Sequence, residues 1–330
     1  GGIVERSTRK RVRLFSINNL RTMKNLYSIL MVITLLVVSM AANAQAKVEW
    51  WRYNEPEKPA PSQNVIIPKL PSHASFAGEK VPLHYFDVSE SLLREMTSIM
   101  YSHSSILYIT QLTGRYMNRI ERILKEEGIH PDFFYLCVAE SSLQPLTSIA
   151  GAKGYWQFLE HTAKEYGLIV NTEVDERYNV DKATRAACKY FRKAFSKYDN
   201  WTLAAASYNV GMAAIDARMK AQSVYSYYDM QLPSETARYV FRAIAYKIIL
   251  NNQNEYGYTV SKSQMCKPIK CREVNVSGAV PSWSKFAERH GTNFKMLKMC
   301  NEWIRSGKMD NRQRHTFTVE VPIPDSRTNY

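Results

Sequence analysis

Residues 131–158 read PDFFYLCVAESSLQPLTSIAGAKGYWQF, and this stretch decides the fold. Pro131 stands where the first turn of a helix tolerates proline, and Asp132 beside it is favourable to the helix dipole. With the apolar residues that follow, the pattern predicts a helix over 131–141 that carries Glu140 near its C-terminal end. The pKa of Glu140 should be raised, because apolar neighbours and the negative end of a helix both disfavour its ionised form. A general acid that protonates a glycosidic oxygen needs this property.

Glu140 by itself is a weak signal, since a lone Glu at a helix end is most often a solvent-exposed side chain. The segment GAKGYWQF at 151–158 strengthens it. Its glycines allow the backbone to approach a ligand, its aromatic side chains can stack on sugar faces, and Gln157 offers an amide. The alternative is a tight turn that leads into a core aromatic cluster. Likewise, AAASYNVG at 204–211 suits either a sugar-binding cleft or a closely packed helix that ends at glycine.

Helical periodicity surrounds this stretch and predicts an all-α domain. Apolar residues recur at spacings of three and four through 88–124. Further helices are predicted at 162–166, 180–198, 201–208 and 234–251, the last with a cap at Ser234. After Gly257 the pattern predicts strands at 258–261, 273–276 and 317–321 and helices at 282–289 and 293–304. The sequence therefore predicts a mainly α chain that ends in a small α+β module.

The N-terminal residues predict export. Residues 23–44 have the three parts of a signal peptide, namely Lys24 at the positive end, an apolar run from Leu26 to Met40, and Ala42-Asn43-Ala44 as the cleavage site. The apolar run is about 15 residues long, whereas a membrane-spanning helix needs roughly 18 or more. A cleaved signal peptide is therefore favoured over the alternative, a membrane anchor, and the mature protein is expected in the periplasm.

Two further segments flank the signal peptide. Residues 1–22 precede Met23, a natural initiator, so we set them aside as a misassigned start or a basic leader. Residues 45–81 are rich in proline and lack periodicity, which predicts an extended linker. The remaining chain divides into a helical domain at 82–256 and the small module at 257–325.

Composition and charge restrict the class of partner. The 330 residues are 45% hydrophobic and 22% charged, which is typical of globular proteins. The formal net charge is +14, but residues 1–44 carry seven Lys or Arg and one Glu, so about +8 belongs to the rest. Outside the cytoplasm a basic protein meets anionic wall polymers and anionic lipid rather than nucleic acid. We therefore expect no nucleic-acid partner, and peripheral membrane association stays open.

The cysteines and histidines do not have the pattern of a disulfide framework or of a metal site. The five cysteines are too few and scattered for a disulfide framework, although an oxidising compartment permits a bond, with Cys266 and Cys271 as the favoured pair. Cys137 and Cys188 lie in apolar helical surroundings and are predicted to be small core residues. No His and Cys cluster has metal-ligand spacing, and no Gly-rich phosphate loop follows a strand, so we expect neither a metal nor a cofactor.

Taken in order, these motifs resemble the lytic transglycosylases of the goose-lysozyme-like (SLT) superfamily, in particular the membrane-bound type D group with a C-terminal LysM module. The resemblance covers residues 85–323. In sequence order the matching segments are Glu140-Ser141, GAKGYWQ at 151–157, SYNVG at 207–211 and ETARYV at 235–240. The chain departs from the family pattern at Tyr155, Glu160 and Ser207, and in the stretch 140–148, which is one residue shorter.

The resemblance implies a lysozyme-like helical catalytic domain followed by a LysM-like module, and it assigns roles to single residues. Glu140 would be the sole catalytic acid and base. Ser148 and Gln157 would contact the N-acetyl and lactyl region of the sugar. The whole substrate-binding set that follows from the motifs is Ser148, Gly154, Tyr155, Gln157, Tyr208, Asn209 and Tyr239. Of these, Asn209 is expected to have a structural role.

The implied reaction is cleavage of the MurNAc-GlcNAc β-1,4 bond of peptidoglycan with formation of 1,6-anhydro-MurNAc, in a protein expected to be monomeric. Mechanisms that use two carboxylates need a second acid, and the motifs contain only Glu235 besides Glu140. The first alternative is a muramidase- or chitinase-type hydrolase on the same glycan. The second is a catalytically weak wall-binding protein. The LysM-like module would hold the enzyme on its polymer, and the alternative for it is a domain that merely packs on the helical one.

Overall fold

The computed structural model describes residues 31–34 and 66–328. The chain divides into two units at Ile66 and Ile67, and the second unit contains all the elements named below. In the first unit, residues 31–34 are helical with exposed side chains. The leader at 1–22 that was set aside, the rest of the predicted signal peptide and residues 45–65 of the predicted linker lie outside the described residues. Within the described part, no helix is long and apolar enough to cross a membrane.

The helical domain is built around a short buried helix, α3. The helices of this domain are α1 (Phe86–Met100), α2 (His103–Glu126), α3 (Phe134–Ser141), α4 (Glu160–Glu165), α5 (Val180–Tyr198), α6 (Trp201–Val210), α7 (Met212–Gln222) and α8 (Ser234–Asn251). Helix α8 packs against α1, α3 and α6, while α5 packs against α2 and α6. Residues 134–138 of α3 are all buried, so this helix is a central element of the core rather than a surface segment.

Helix α3 begins and ends for local reasons that the sequence already shows. The segment Pro131–Phe133 forms a 3-10 turn, where the His130 side chain accepts a hydrogen bond from the backbone N–H of Asp132. At the other end, Ser142 adopts a left-handed conformation with φ +53°, which stops the helix directly after Ser141. Glu140 therefore lies in the last turn of α3, as predicted.

Most predicted helices are confirmed, and the bounds of α5 and α8 are reproduced to the residue. The predicted cap at Ser234 is wrong, because Pro233 is the N-cap and makes no side-chain cap bond. Helix α7 was not anticipated, since Gly211, at φ +86°, ends α6 and at once precedes another helix. The predicted strand at 258–261 is also wrong. Its Tyr258 is instead a buried anchor whose hydroxyl donates a hydrogen bond to the Met100 carbonyl.

A two-stranded hairpin precedes the first helix, with β1 (Ser75–Phe76) antiparallel to β2 (Glu79–Lys80). It lies in the segment for which the sequence predicts an extended linker. The Phe76 ring is fully buried and packs 5.2 Å from the ring of Phe133. The hairpin residue Ala77 donates its backbone N–H to the buried Asp132 carboxylate at 2.8 Å. The last part of the linker is therefore a packed element of the helical domain.

The C-terminal module is a small α+β unit, as predicted. Strand β3 (Cys271–Val276) pairs antiparallel with β4 (Phe317–Pro322), and between them lie α9 (Trp283–Arg289) and α10 (Phe294–Cys300). Asn301 is fully buried and joins the end of α10 to β4, since its side-chain amide bonds to both the carbonyl and the N–H of Glu320. The module has its own apolar core, formed by Val280, Trp283, Phe286, Leu297, Trp303, Ile304, Val319 and Val321.

The module packs directly on the helical domain. Val174 and Tyr178, which precede α5, are buried in the core of the module. Backbone hydrogen bonds join the two parts, with Asp175 N–H donating to the Trp303 carbonyl at 2.9 Å and Arg305 N–H to the Glu173 carbonyl at 2.8 Å. The Arg305 guanidinium lies 4.2 Å from the Tyr178 ring centre. The segment before α5 is thus shared between the two domains.

Candidate active site

Glu140 and Tyr239 meet at the centre of the helical domain. Glu140 is half-buried in the last turn of α3, and its Oε1 accepts a hydrogen bond of 2.5 Å from the hydroxyl of Tyr239 on α8. Tyr239 is only 2% exposed, so this hydroxyl approaches the carboxylate from the protein interior. The first and last motifs of the sequence, 99 residues apart at these two positions, therefore share one site.

The surroundings of Glu140 raise its pKa to about 7. Burial is the main cause, because it penalises the charged carboxylate. The Tyr239 hydrogen bond and the charge of Arg242 act in the opposite direction, and the charge of Glu235 adds to the rise. The direction agrees with the one expected from the sequence, and burial is its principal cause. Near neutral pH, a carboxyl with this pKa can both give and take a proton.

Tyr208 of α6 lies near the Glu140–Tyr239 pair. Its hydroxyl donates a 2.7 Å hydrogen bond to the Trp156 carbonyl, and its ring lies 4.9 Å from that of Phe191. Burial and then the charge of Glu140 raise the pKa of Tyr208, which places its phenol in the electrostatic environment of the carboxylate. Trp156 is fully buried and donates its indole N–H to Thr184. The aromatic residues of the 151–158 segment therefore belong in part to the core, as the alternative interpretation proposes.

Gly154 is required by packing. Its φ is +78°, and a Cβ there would lie 1.8 Å from the backbone oxygen of Arg177. Its role in the structure is thus a close contact with the segment before α5. Gln157 also serves the loop, since its Nε2 donates to the carbonyls of Gly154 at 2.8 Å and Leu146 at 3.2 Å.

Ser148 lies in the loop between α3 and the 151–158 segment. Its Oγ accepts a 3.0 Å hydrogen bond from the backbone N–H of Ala152, which closes the loop on itself. The neighbouring apolar side chains of Leu146 and Ile149 are exposed. Ser148 is half-buried, so this loop presents both a hydroxyl and apolar surface to solvent.

Tyr155 faces the C-terminal module. It is 1% exposed, and its hydroxyl donates to Glu302 Oε2 at 2.7 Å and lies 3.1 Å from the Tyr116 hydroxyl. From the motifs, Tyr155 is expected among the sugar-contacting residues, but its side chain lies at the junction of the two domains. The departure from the family pattern at this position is therefore matched by a polar partner on the module.

Asn209 joins two helices. Its Oδ1 accepts a 2.8 Å hydrogen bond from the Thr236 hydroxyl, which links the end of α6 to the start of α8. Because Thr236 is buried, this contact aligns the helices that carry Tyr208 and Tyr239. The geometry agrees with the structural role favoured for Asn209.

A buried ion-pair network behind Tyr239 was missed by sequence reasoning. Glu95 of α1 is 1% exposed, and its carboxylate accepts from Arg238 at 2.6 Å and from Arg242 at 3.4 Å. Arg242 also bonds the exposed Glu235 at 3.1 Å. Glu95 occupies an inward position of the periodic pattern in α1, and an acidic residue at such a position was the available signal.

No group of His, Cys, Asp or Glu in residues 66–328 has the arrangement of a metal site. The site offers one carboxyl whose pKa is raised to about 7, the Tyr239 phenol that bonds it, and the nearby ion pairs of Arg238 and Arg242 with the buried Glu95. Helix α8 contributes Tyr239 to this site, and helix α6 contributes Tyr208, whose pKa is raised by burial and by the charge of Glu140.

Comparisons with known proteins agree with this architecture. The family model "Transglycosylase SLT domain" matches residues 118–231, and "Soluble lytic transglycosylase C-terminal LysM-like domain" matches residues 272–325. The chain is 27% identical over 224 residues to "Membrane-bound lytic murein transglycosylase D" of Escherichia coli strain K12, with 66% of this chain and 49% of that protein covered. The protein of the same name from E. coli O6:H1 strain CFT073 gives the same values.

The chain thus spans about half the length of the curated relatives it matches. The match to the SLT domain includes Glu140, the 151–158 segment and Tyr208. The LysM-like match contains all of strand β3 except its first residue, both short helices and strand β4. The predicted fold class, a lysozyme-like helical domain followed by a LysM-like module, is confirmed. The chain therefore carries an SLT transglycosylase domain followed by a LysM-like domain, and over 224 residues it is similar to membrane-bound lytic murein transglycosylase D.

Proposed function

We propose that this protein is an exported lytic transglycosylase that cleaves the glycan strands of peptidoglycan with Glu140 as its catalytic acid and base. The observation that carries this proposal is the Glu140–Tyr239 pair, in which burial raises the pKa of the carboxyl to about 7. The name of the E. coli relatives, which specifies murein, supports the substrate class. The proposed bond is the β-1,4 linkage from MurNAc to GlcNAc.

In the first half of the proposed reaction, protonated Glu140 donates its proton to the glycosidic oxygen as the bond to the anomeric carbon breaks. In the second half, the Glu140 carboxylate takes the proton of the MurNAc 6-hydroxyl, whose oxygen attacks the anomeric carbon. The product then ends in 1,6-anhydro-MurNAc, and the enzyme regains its starting proton. The Tyr239 hydrogen bond stabilises the intermediate carboxylate, and a pKa near neutrality suits both transfers.

Internal attack is favoured over attack by water because the site offers one suitable carboxyl. In two-carboxylate glycosidases the second acid lies roughly 5–9.5 Å from the first. Glu235 is the acidic residue in the motifs besides Glu140, and it is 62% exposed and paired with Arg242. The motif residues therefore supply no second carboxylate positioned to activate water, which hydrolysis, the alternative reaction, would need.

For substrate binding we propose that Ser148, Gln157, Tyr208 and Tyr239 line the sugar subsites next to Glu140. We assign Gly154 and Asn209 to the support of this surface, because their contacts are with other parts of the protein. The LysM-like domain would bind the same glycan and keep the enzyme on its polymer. We further propose a monomer in the cell envelope, peripherally associated with the membrane at most.

The test is digestion of purified peptidoglycan by the wild type and by Glu140→Gln, followed by mass analysis of the products. The Gln variant keeps the shape of the side chain and removes its proton, so we expect cleavage to fall by about 10²-fold or more. Glu235→Gln serves as the control and should retain most activity. Products with reducing ends would favour the hydrolase, and an active Glu140→Gln variant would remove this residue from the chemistry.

A further inference from the structure

Two cysteines of the LysM-like domain lie side by side. Cys271 is the first residue of β3 and Cys300 is the last residue of α10, and their Sγ atoms are 3.3 Å apart. Both side chains are half-buried. The 29-residue separation between them encloses α9 and α10, so a bond between these sulfurs would tie the helical part of the domain to its sheet.

The two sulfurs line a cavity of about 160 Å³ at the junction of the domains. Arg115 and Arg119 of α2 line the same cavity, together with Tyr155 and Glu302. The hydrogen bond with Cys300 lowers the pKa of Cys271, while the same contact and burial raise the pKa of Cys300. Cys271 is therefore the sulfur that ionises first, and a thiolate is the reactive form of cysteine.

The other cysteines are in different environments. Cys137 and Cys188 are fully buried in the helical domain, and burial raises the pKa of both thiols, which makes them inert. Cys266 lies in a loop that is fixed to α2 by a 2.9 Å hydrogen bond from its backbone N–H to the Gln111 carbonyl. From the sequence, Cys266 is the favoured partner of Cys271, whereas in the structure Cys300 lies next to Cys271.

We propose that Cys271 and Cys300 form a disulfide bond that fastens α10 to β3. The exported location that makes this bond stable is part of the proposed function. The Cys271 thiolate attacks one sulfur of a disulfide oxidant, which releases one thiolate and leaves a mixed disulfide. Cys300 then loses its proton to solvent and attacks Cys271 Sγ, which releases the second thiolate. Two protein thiols are oxidised and one disulfide oxidant is reduced to two thiols.

The bond would restrain the residues that join the two domains. Cys300 is followed directly by Asn301, which holds β4, and by Glu302, which bonds the Tyr155 hydroxyl. Trp303 comes next and accepts the backbone hydrogen bond from Asp175. A covalent link at Cys300 thus fixes the start of the segment that forms the junction. It also stabilises the folded state, because it lowers the conformational entropy of the unfolded chain.

The first test is a thiol map of the purified full chain after incubation with oxidised glutathione. Remaining thiols are alkylated under denaturing conditions, and peptides are analysed without reduction. We expect a linked pair of peptides that contain Cys271 and Cys300, lighter than the two reduced peptides by about 2 Da, with Cys137, Cys188 and Cys266 alkylated. Linkage of Cys271 to Cys266, or alkylation of both Cys271 and Cys300, would overturn the proposal.

The second test compares melting temperatures with and without a reductant. Reduction should lower the melting temperature of the oxidised wild type by about 5 °C or more, and it should leave Cys300→Ser unchanged. Cys266→Ser is the matched control and should keep the full response, so a response lost in this variant instead would contradict the assignment. Both tests use no glycan, so a chain that forms the bond but cuts no peptidoglycan would disprove the proposed function alone.

Discussion

At the scale of single residues, the protonation of Glu140 sets the pH dependence of the proposed reaction. The carboxyl must be protonated to donate to the leaving oxygen, and its pKa is raised to about 7. Raising the pH through this value removes the proton, so kcat/KM should fall on the alkaline side of about pH 7. A rate profile on soluble glycan strands measures this decline.

Tyr239→Phe should move that decline to higher pH. The Tyr239 hydroxyl lowers the pKa of Glu140 by its hydrogen bond to the ionised form, and removal of the hydroxyl lets the pKa rise further. Tyr208→Phe is the control, because the Tyr208 hydroxyl bonds the Trp156 carbonyl instead of Glu140. A profile that stays in place in Tyr239→Phe would show that the hydrogen bond does not tune the acid.

Alanine substitutions at two glycines of one loop distinguish the stability cost of backbone strain from that of a steric clash. Gly151 and Gly154 have φ of +80° and +78°, so alanine is strained at both. A Cβ at Gly151 meets nothing within 4 Å, whereas a Cβ at Gly154 would lie 1.8 Å from Arg177 O. Denaturant unfolding should show a loss of about 1–2 kcal/mol for Gly151→Ala and about 3 kcal/mol or more for Gly154→Ala. Equal losses would contradict the close contact.

At the scale of elements, the hairpin stabilises the start of α6. Glu79 accepts hydrogen bonds from the backbone N–H groups of Trp201 and Thr202, and Asn200 accepts that of Leu203. The first turn of a helix leaves these donors without partners, so the hairpin supplies a cap from outside the helix. This cap orients the helix that carries Tyr208.

Glu79→Ala should therefore lower the free energy of unfolding by about 1–2 kcal/mol, as the loss of a helix cap does. Thermal unfolding followed by circular dichroism measures the change. Lys80→Ala, which removes an exposed side chain from the same strand, is the control and should stay within about 0.5 kcal/mol of the wild type. Similar values for the two variants would show that the hairpin does not act as a cap.

At the scale of the whole molecule, the SLT domain and the LysM-like domain share core residues. Val174 and Tyr178 of the helical domain are buried in the core of the module, and the Tyr155 hydroxyl bonds Glu302 across the junction. From the sequence, the module is expected to act as a separate glycan tether. The packing indicates in addition that it stabilises the segment before α5, whose Arg177 contacts Gly154.

We expect calorimetry to show the two domains unfolding in one transition. Deletion of residues 257–330 exposes Val174 and Tyr178, so the melting temperature should fall by about 5 °C or more. Tyr155→Phe tests one contact of the junction and should cause a smaller loss, about 1–2 kcal/mol, since it leaves the Glu302 carboxylate without its donor. Two separate transitions, or a deletion variant as stable as the full chain, would show that the domains are independent.

The helices whose signals are local could be predicted from the sequence alone. Helices α3, α5 and α8 could be predicted because apolar residues three and four positions apart mark a helical face within the segment itself. Glu140 could be singled out because an acidic residue at the end of an apolar helix precedes three further motifs in a fixed order. The strands β3 and β4 had the β-branched pattern of a half-buried sheet.

The contacts between residues that are distant in the sequence could not be predicted and are known from the three-dimensional structure. The contact of Tyr155 with Glu302 and the approach of Cys271 to Cys300 join positions 147 and 29 residues apart. The β1–β2 hairpin was hidden because it is two residues per strand and is stabilised by Asp132 and Trp201, which follow it by more than 50 residues. A local sequence pattern does not predict such partners, because these contacts depend on how whole helices and domains pack together.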